Sequence, residues 1–290
     1  MSIFNEISSF KALLASGLAQ KKDLTKIKQL LKSDISGLPN YIKQYLNDIE
    51  KISKFTKKNN KNITILDHGC GSGTVVIILL ALGYESICGL DVREEKCFKY
   101  NKSLRKILNI NRDIFITYDN GKIPLPDDSV NYIYSNQVLE HVAPDLIDEF
   151  LFEENRIKNP ISIIRHSFPV RNCFFETHTN TAVLHWFLPR KIFNKLFNKQ
   201  KQVWLENNLF LNWSKYYEKK FDKCLGSFSQ ENLSRNFYIP KEDYDGGLIK
   251  YYVRRVFIFA INIRLLSPLI KNVIKVLATR EFVQRNNINL

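Results

Sequence analysis

The stretch Ile63–Tyr84, reading ITILDHGCGSGTVVIILLALGY, restricts the fold of this chain more than any other. Ile63, Ile65 and Leu66 form a short β-type run that leads through Asp67 into a glycine turn, His68-Gly69-Cys70-Gly71-Ser72-Gly73. A wholly apolar helical run follows, from Val75 to Leu82. Strand, tight turn and buried helix in that order make a nucleotide-type binding turn. Glycine lets backbone N–H groups come close to a ligand, and a helix N-terminus favours its polar groups. A dinucleotide fingerprint starting at Gly69 would place glycine at position 74, where this chain has Thr74, so the loop does not require a pyrophosphate.

Beyond the turn, apolar periodicity predicts strands at 63–66, 86–90, 114–118, 130–134 and 161–168. It predicts helices at 74–82, about 94–108, and 138 to about 150. Regular β-α alternation implies an α/β fold: Rossmann-like, doubly wound, with a mostly parallel sheet, here expected to have seven strands. Ligands on such sheets lie beyond the carboxyl ends of the strands. The glycine loop, Asp91, Asp119 and Asn136 all fall at those ends. A carboxylate at Asp91 is able to accept two hydrogen bonds from ribose hydroxyls.

The rest of the chain divides by pattern. Residues 1–56 read as an N-terminal helical cap, with Gly37-Leu38-Pro39 between two apolar helical runs. Residues 60–168 form the binding core. Residues 169–247 form an aromatic-rich insertion on the acceptor side. Residues 248–290 carry eight Lys/Arg against the single acid Glu281, which is half of the net charge of +14. They read as a basic amphipathic segment that completes the fold. A charge of that size fits a polyanionic neighbour, either nucleic acid or an anionic membrane surface; a generally Lys-rich proteome gives the same number without purpose. The five cysteines include no CxxC pair, so neither a zinc site nor a disulfide framework is expected, and the usage fits a reducing cytosol. The N-terminus lacks the pattern of a secretory signal, and no uncharged apolar stretch of about 18 residues is present.

Residues 115–142 read FITYDNGKIPLPDDSVNYIYSNQVLEHV. Together with Asp67, Gly69, Cys70, Gly71 and Gly73, the residues Leu125, Pro126, Asp128, Ser129 and Val138-Leu139-Glu140-His141-Val142 resemble the class I S-adenosylmethionine-dependent methyltransferases. The resemblance covers residues 60–168, with Asn131 where the family usually has an acid. It implies S-adenosyl-L-methionine as cofactor. Gly69, Gly71 and Gly73, with Cys70 among them, pass the methionine moiety, and Asp67 braces the loop. Asp91 holds the ribose and Val92 contributes to an apolar slot. Asp119, with Asn120, accepts from the adenine amino group, and Asn136 lines the sulfonium end.

A hydroxyl acceptor needs a base, for which the candidates are His141, His178 and His185. Glu176, His178 and His185, with the aromatics around them, suit a polar, sugar-like acceptor. The alternative is a surface loop with hydrogen-bonded histidines. Gln137-x-x-Glu140-His141 is similar to the E-x-x-E-H metal cluster of some methyltransferases, but Gln137 is a weaker ligand than an acid, and no metal is expected. The expected function is therefore O-methylation of a sugar, glycan or lipid-linked small molecule. The protein is expected to be cytoplasmic, with peripheral contact to an anionic membrane through the basic segment. RNA methylation is the rival within the same chemistry, motivated by +14, and a non-catalytic methyltransferase-like partner protein is the rival outside it.

Overall fold

The computed structural model describes residues 3–59, 62–92, 96–119, 121–173, 175–176, 178–179, 181–182, 184–232, 252, 255–256 and 280–287. The chain forms two compact units. The first comprises Met1–Asn136, Asp148–Arg165 and Gln284–Leu290, and the second comprises Gln137–Ile147 and His166–Val283.

The first unit opens with three helices, α1 (Ile3–Ser16), α2 (Lys21–Ser33) and α3 (Asn40–Thr56). Alternation then begins with β1 (Ile65–His68), α4 (Thr74–Ala81) and β2 (Ile87–Asp91). A 3-10 turn at Lys96–Tyr100 runs into α5 (Asn101–Leu108), followed by β3 (Phe115–Thr117) and β4 (Val130–Asn136). The helix α6 (Ile147–Ile157) leads directly into β5 (Lys158–Phe168). β1 pairs in parallel with both β2 and β4, and β2 in parallel with β3.

The second unit contains a two-stranded hairpin of β6 (Phe175–Glu176) and β7 (Thr181–Ala182). Four helices follow: α7 (Leu184–Phe187), α8 (Arg190–Asn194), α9 (Lys199–Asn208) and α10 (Ser214–Leu225). β8 (Ser229–Asn232) and β9 (Arg280–Asn286) pair antiparallel. The hydrogen-bonded strand order in the first unit is β3-β2-β1-β4, β5 crosses into the second unit at His166, and β8 pairs with the part of β9 that lies in the second. The mostly parallel, helix-flanked core expected from the alternation is present.

Burial explains the local choices. All four residues of β1 are buried, as a central parallel strand requires. Val76 to Ala81 of α4 are buried too, which is why that helix is apolar all round. α3 lays Tyr45 on Tyr134 of β4, with ring centroids 4.4 Å apart. Asp48 of α3 accepts from Arg165 Nε of β5 at 2.6 Å, and both side chains are fully buried. Asp48→Ala removes this buried partner of Arg165 and is expected to destabilise the protein by about 3 kcal/mol. Asp48→Leu combined with Arg165→Met is expected to lose less. Denaturant midpoints of the parent and the two variants decide this, and equal losses in the single and double variants would refute it. In the second unit, Phe168, Tyr217, Phe221 and Phe282 pack ring against ring, with centroids 4.6–5.5 Å apart.

The expected helix over 138–150 is not formed. Leu139–His141 make a 3-10 turn, and α6 starts only at Ile147. Pro144 has no N–H to give and pushes Ala143 out of the helical region. Gln137 takes a left-handed φ of 58°, which bends the chain before the turn. Strand one lies two residues later than expected, at Ile65–His68, and strand five begins three residues earlier, at Lys158. The basic segment at 248–290 lies largely outside the described residues.

Candidate functional site: a glycine loop and a carboxylate–histidine cluster

In the first unit the glycine turn folds back over the end of β2. Gly69 N and Cys70 N both donate to Leu90 O, at 2.7 and 3.0 Å, and Gly71 N donates to Asp91 Oδ2 at 2.9 Å. These N–H groups, expected to face a ligand, instead stitch the loop to the strand beside it. The glycines act through shape. Gly71 has a φ of +47° and open space where a Cβ would stand. A Cβ on Gly73 (φ +71°) would lie 2.6 Å from Phe115 and 2.9 Å from Cys97. Gly89 on β2 is equally confined, since a Cβ there would meet Cys70 and Phe115 within 2.9 Å. The result is a loop with one open side at Gly71 and the half-buried Asp91 carboxylate tied to that same residue. This geometry fits an adenosyl cofactor that passes the backbone at Gly71 and presents ribose hydroxyls to Asp91.

Asp67 is buried behind the loop. Burial pushes its carboxyl up to about 7, with the Tyr134 hydroxyl opposing and the Asp91 carboxylate adding to the rise. An acid that the folded protein holds protonated gives stability that is full below its unfolded pKa near 4 and is lost as pH rises through 7. Asp67→Asn is therefore expected to hold its stability better than the parent between pH 4 and 7, by up to about 4 kcal/mol. Melting curves across that range test this, and parallel profiles for the two proteins would refute it.

The remaining first-unit candidates are placed as follows. Asp119 is exposed and accepts from Gly121 N at 3.1 Å, so its carboxylate closes its own turn. Val92 is 40 % exposed, Asn136 ends β4 half-buried, and Asn120 lies outside the described residues. Sequence reasoning gave no role to His68. It is buried, stacked 3.8 Å from Phe150, and its two ring nitrogens lie 2.7 Å from Glu154 Oε1 and from the Tyr118 hydroxyl. Partners 50 and 86 residues away leave no local signal for such a relay.

In the second unit the turn after Gln137 delivers Glu140 and His141. Ligand atoms of Glu140, His141 and His178 all lie within 4.8 Å of one another. Glu140 is fully buried, and neither carboxylate oxygen has a hydrogen-bond partner among the described residues. Burial raises its pKa to about 8, and the nearby Glu176 adds to this. His141 Nε2 stands 4.0 Å from Glu140 Oε1, while its Nδ1 bonds the Asn208 carbonyl. His178 Nδ1 is held by Glu176 Oε1 at 2.7 Å. Burial alone would raise Glu176, but hydrogen bonds from His178 and Thr179 hold it down at about 2, so it stays anionic. Trp204 packs against both rings, with centroids 5.8 Å from His178 and 6.0 Å from His141. A carboxylate that orients one ring through Nδ1 is the arrangement that readies Nε2 for a cation.

His185 stands apart from this cluster. Its Nε2 donates to the Cys173 carbonyl at 3.0 Å, and burial lowers its pKa. All five cysteines are buried, and none forms a disulfide. Among the described residues, no helix is long and apolar enough to cross a membrane.

Sheet order, glycine loop and Asp91 together define an α/β fold of the Rossmann-like class. Residues 41–237, more than half of the chain, match a family described as methyltransferase domain. The chain belongs to this methyltransferase-domain family, and the class I resemblance carried by the loop and by Leu139-Glu140-His141-Val142 is borne out. Comparison with curated proteins gave no match. Among solved structures, it is similar to a geranyl diphosphate C-methyltransferase from Streptomyces coelicolor A3(2), at 11 % identity and TM-score 0.48, over 83 % of this chain and 80 % of that one. That protein was crystallised with Mg2+, geranyl diphosphate and S-adenosyl-L-homocysteine. It is also similar to a SAM-dependent methyltransferase from Archaeoglobus fulgidus, at 16 % identity and TM-score 0.44, over 82 % and 92 %. The PH0226 protein from Pyrococcus horikoshii OT3 matches at 25 % identity and TM-score 0.33, over 43 % of this chain and 55 % of its own length.

Proposed function

We propose that this protein is an S-adenosylmethionine-dependent O-methyltransferase whose acceptor is a hydroxyl of a sugar or glycan, and that it uses a divalent cation held by Glu140, His141 and His178. The observation that carries the reading is Glu140, a fully buried carboxylate without a hydrogen bond among the described residues, with two imidazoles beside it. A buried acid in that state is costly unless it is protonated or a cation neutralises it. One acid and two imidazoles suit Zn2+, Mn2+ or Fe2+ and leave coordination positions for oxygen ligands.

S-adenosylmethionine, when bound, supplies a methyl group already activated on a sulfonium. A divalent cation, when bound, lowers the pKa of a hydroxyl that coordinates it. The chain's own residues position and hold. Asp91 receives the ribose hydroxyls, and Gly71 leaves room for the cofactor to pass. Glu176 fixes the His178 ring, and the Asn208 carbonyl fixes that of His141. RNA methylation is a second reading, favoured by the net charge of +14.

Methyl transfer from labelled S-adenosylmethionine to glycan and RNA extracts tests the proposal. Label is expected in the glycan fraction, to be lost after chelation and to return with Mn2+, Zn2+ or Fe2+. Label in RNA instead would replace the acceptor assignment. Transfer that ignores chelation would remove the cation.

A further inference from the structure

The second unit contains a pocket that the proposed chemistry does not use. Arg171, His185, Arg190 and Asn194 line it together with the apolar Phe193 and Leu209. Arg171 Nε and Asn194 Nδ2 are buried donors that make no hydrogen bond among the described residues. Asn194 is 3 % exposed and His185 4 %. The two guanidiniums are held by main-chain carbonyls. Arg171 donates to Leu188 O at 2.9 Å, and Arg190 donates to Leu205 O and Glu206 O at 3.0 and 2.7 Å. Each also lies over an aromatic ring, Trp213 and Phe210 respectively. Carbonyls and ring faces orient a guanidinium without neutralising it.

Buried donors without acceptors are costly, and they normally have a partner in protein, water or ligand. Two fixed positive charges and an unpartnered amide around an apolar wall define that partner. It is an acceptor, it is negatively charged, and it carries an apolar portion. We infer that this pocket binds a small oxyanion, a carboxylate or a phosphate monoester, attached to an apolar body. The pocket adjoins the histidine cluster through the chain itself. Leu209 lines the pocket, Phe210 N donates to the Glu140 carbonyl at 2.7 Å, and α9 carries the Trp204 that packs on His141 and His178.

The full-length protein, without S-adenosylmethionine or added metal, is titrated with phenyl phosphate, benzoate and the neutral benzyl alcohol. Binding is read by calorimetry and by tryptophan fluorescence, since Trp213 lies against Arg171. Saturable binding of an anion is expected, with phenyl phosphate alone marking a phosphate site and benzoate alone a carboxylate site. Arg171→Gln and Asn194→Ala are each expected to weaken it about tenfold. If Arg171→Gln fails to fold, Asn194→Ala, which removes one amide and no charge, still decides the matter. No saturation by either anion at millimolar concentration would overturn the inference. So would equal binding of benzyl alcohol, or unchanged affinity in Asn194→Ala. Neither cofactor nor metal is present, so the outcome does not depend on the proposed methyl transfer.

Discussion

Asp91→Ala is expected to weaken S-adenosylmethionine binding by about a thousandfold. The carboxylate ends β2 and is half-buried, and it is tied to the loop through Gly71 N. In the proposed binding mode two ribose hydroxyls would donate to it in charge-assisted hydrogen bonds, each worth roughly 1.5–3 kcal/mol. Their sum corresponds to a loss of roughly two to four powers of ten. The substitution also frees Gly71 N, so part of the effect is a loosened loop. Asp91→Asn separates the two contributions. The amide oxygen still accepts from Gly71 N but has lost its charge, so an intermediate affinity is expected. Calorimetric titration with S-adenosylmethionine and S-adenosylhomocysteine reads both. Unchanged affinity in Asp91→Ala would remove the ribose role. No binding by the parent protein would return the chain to a non-catalytic partner.

His178→Ala is expected to abolish metal-dependent turnover, by about a thousandfold or more, while S-adenosylmethionine affinity stays within about twofold. His178 is part of the Glu140–His141–His178 cluster, and Glu176 fixes its ring. Removing it takes away a ligand and leaves Glu176 with two Thr179 bonds and the main-chain N–H of residue 178. His141→Ala is expected to act in the same way. Glu176→Gln, which leaves all three ligands in place, is expected to cost roughly ten- to a hundredfold in metal affinity. Equilibrium dialysis with Mn2+ or Zn2+ measures the metal directly, apart from activity. Retained metal binding in both histidine variants would end the cation assignment. Lost turnover with retained metal would recast the histidines as proton acceptors.

These residues differ in how readable they are along the chain. The loop and Asp91 are local: strand, glycine turn and strand end follow one another within about thirty residues, and period and turn chemistry reveal them. The helix expected over 138–150 starts only at Ile147 because Pro144, itself visible in the sequence, outweighs the apolar spacing. For Asp119 the family resemblance implies an adenine-edge acceptor. One oxygen of its carboxylate accepts from Gly121 N, a contact that a short polar side chain makes with its own backbone in many turns. Trp204 and Asn208, which hold the two histidines, lie 63 and 67 residues from His141 and carry no motif.

The chain alone determined its α/β alternation, its glycine loop and its membership among methyltransferases. The first two rest on spacing within one or two elements, where local sterics and hydrophobic period act, and the last on the resemblance of residues 60–168 to known methyltransferases. What surrounds His141, His178 and His185 was decided only on folding. Three histidines of similar standing in the sequence become two members of a carboxylate-rich cluster and one wall of an arginine-lined pocket. The physical reason is burial. Among the described residues, Glu140 is left without a hydrogen bond and Arg171 Nε without an acceptor because long-range packing, not sequence spacing, chooses which polar groups lose their water.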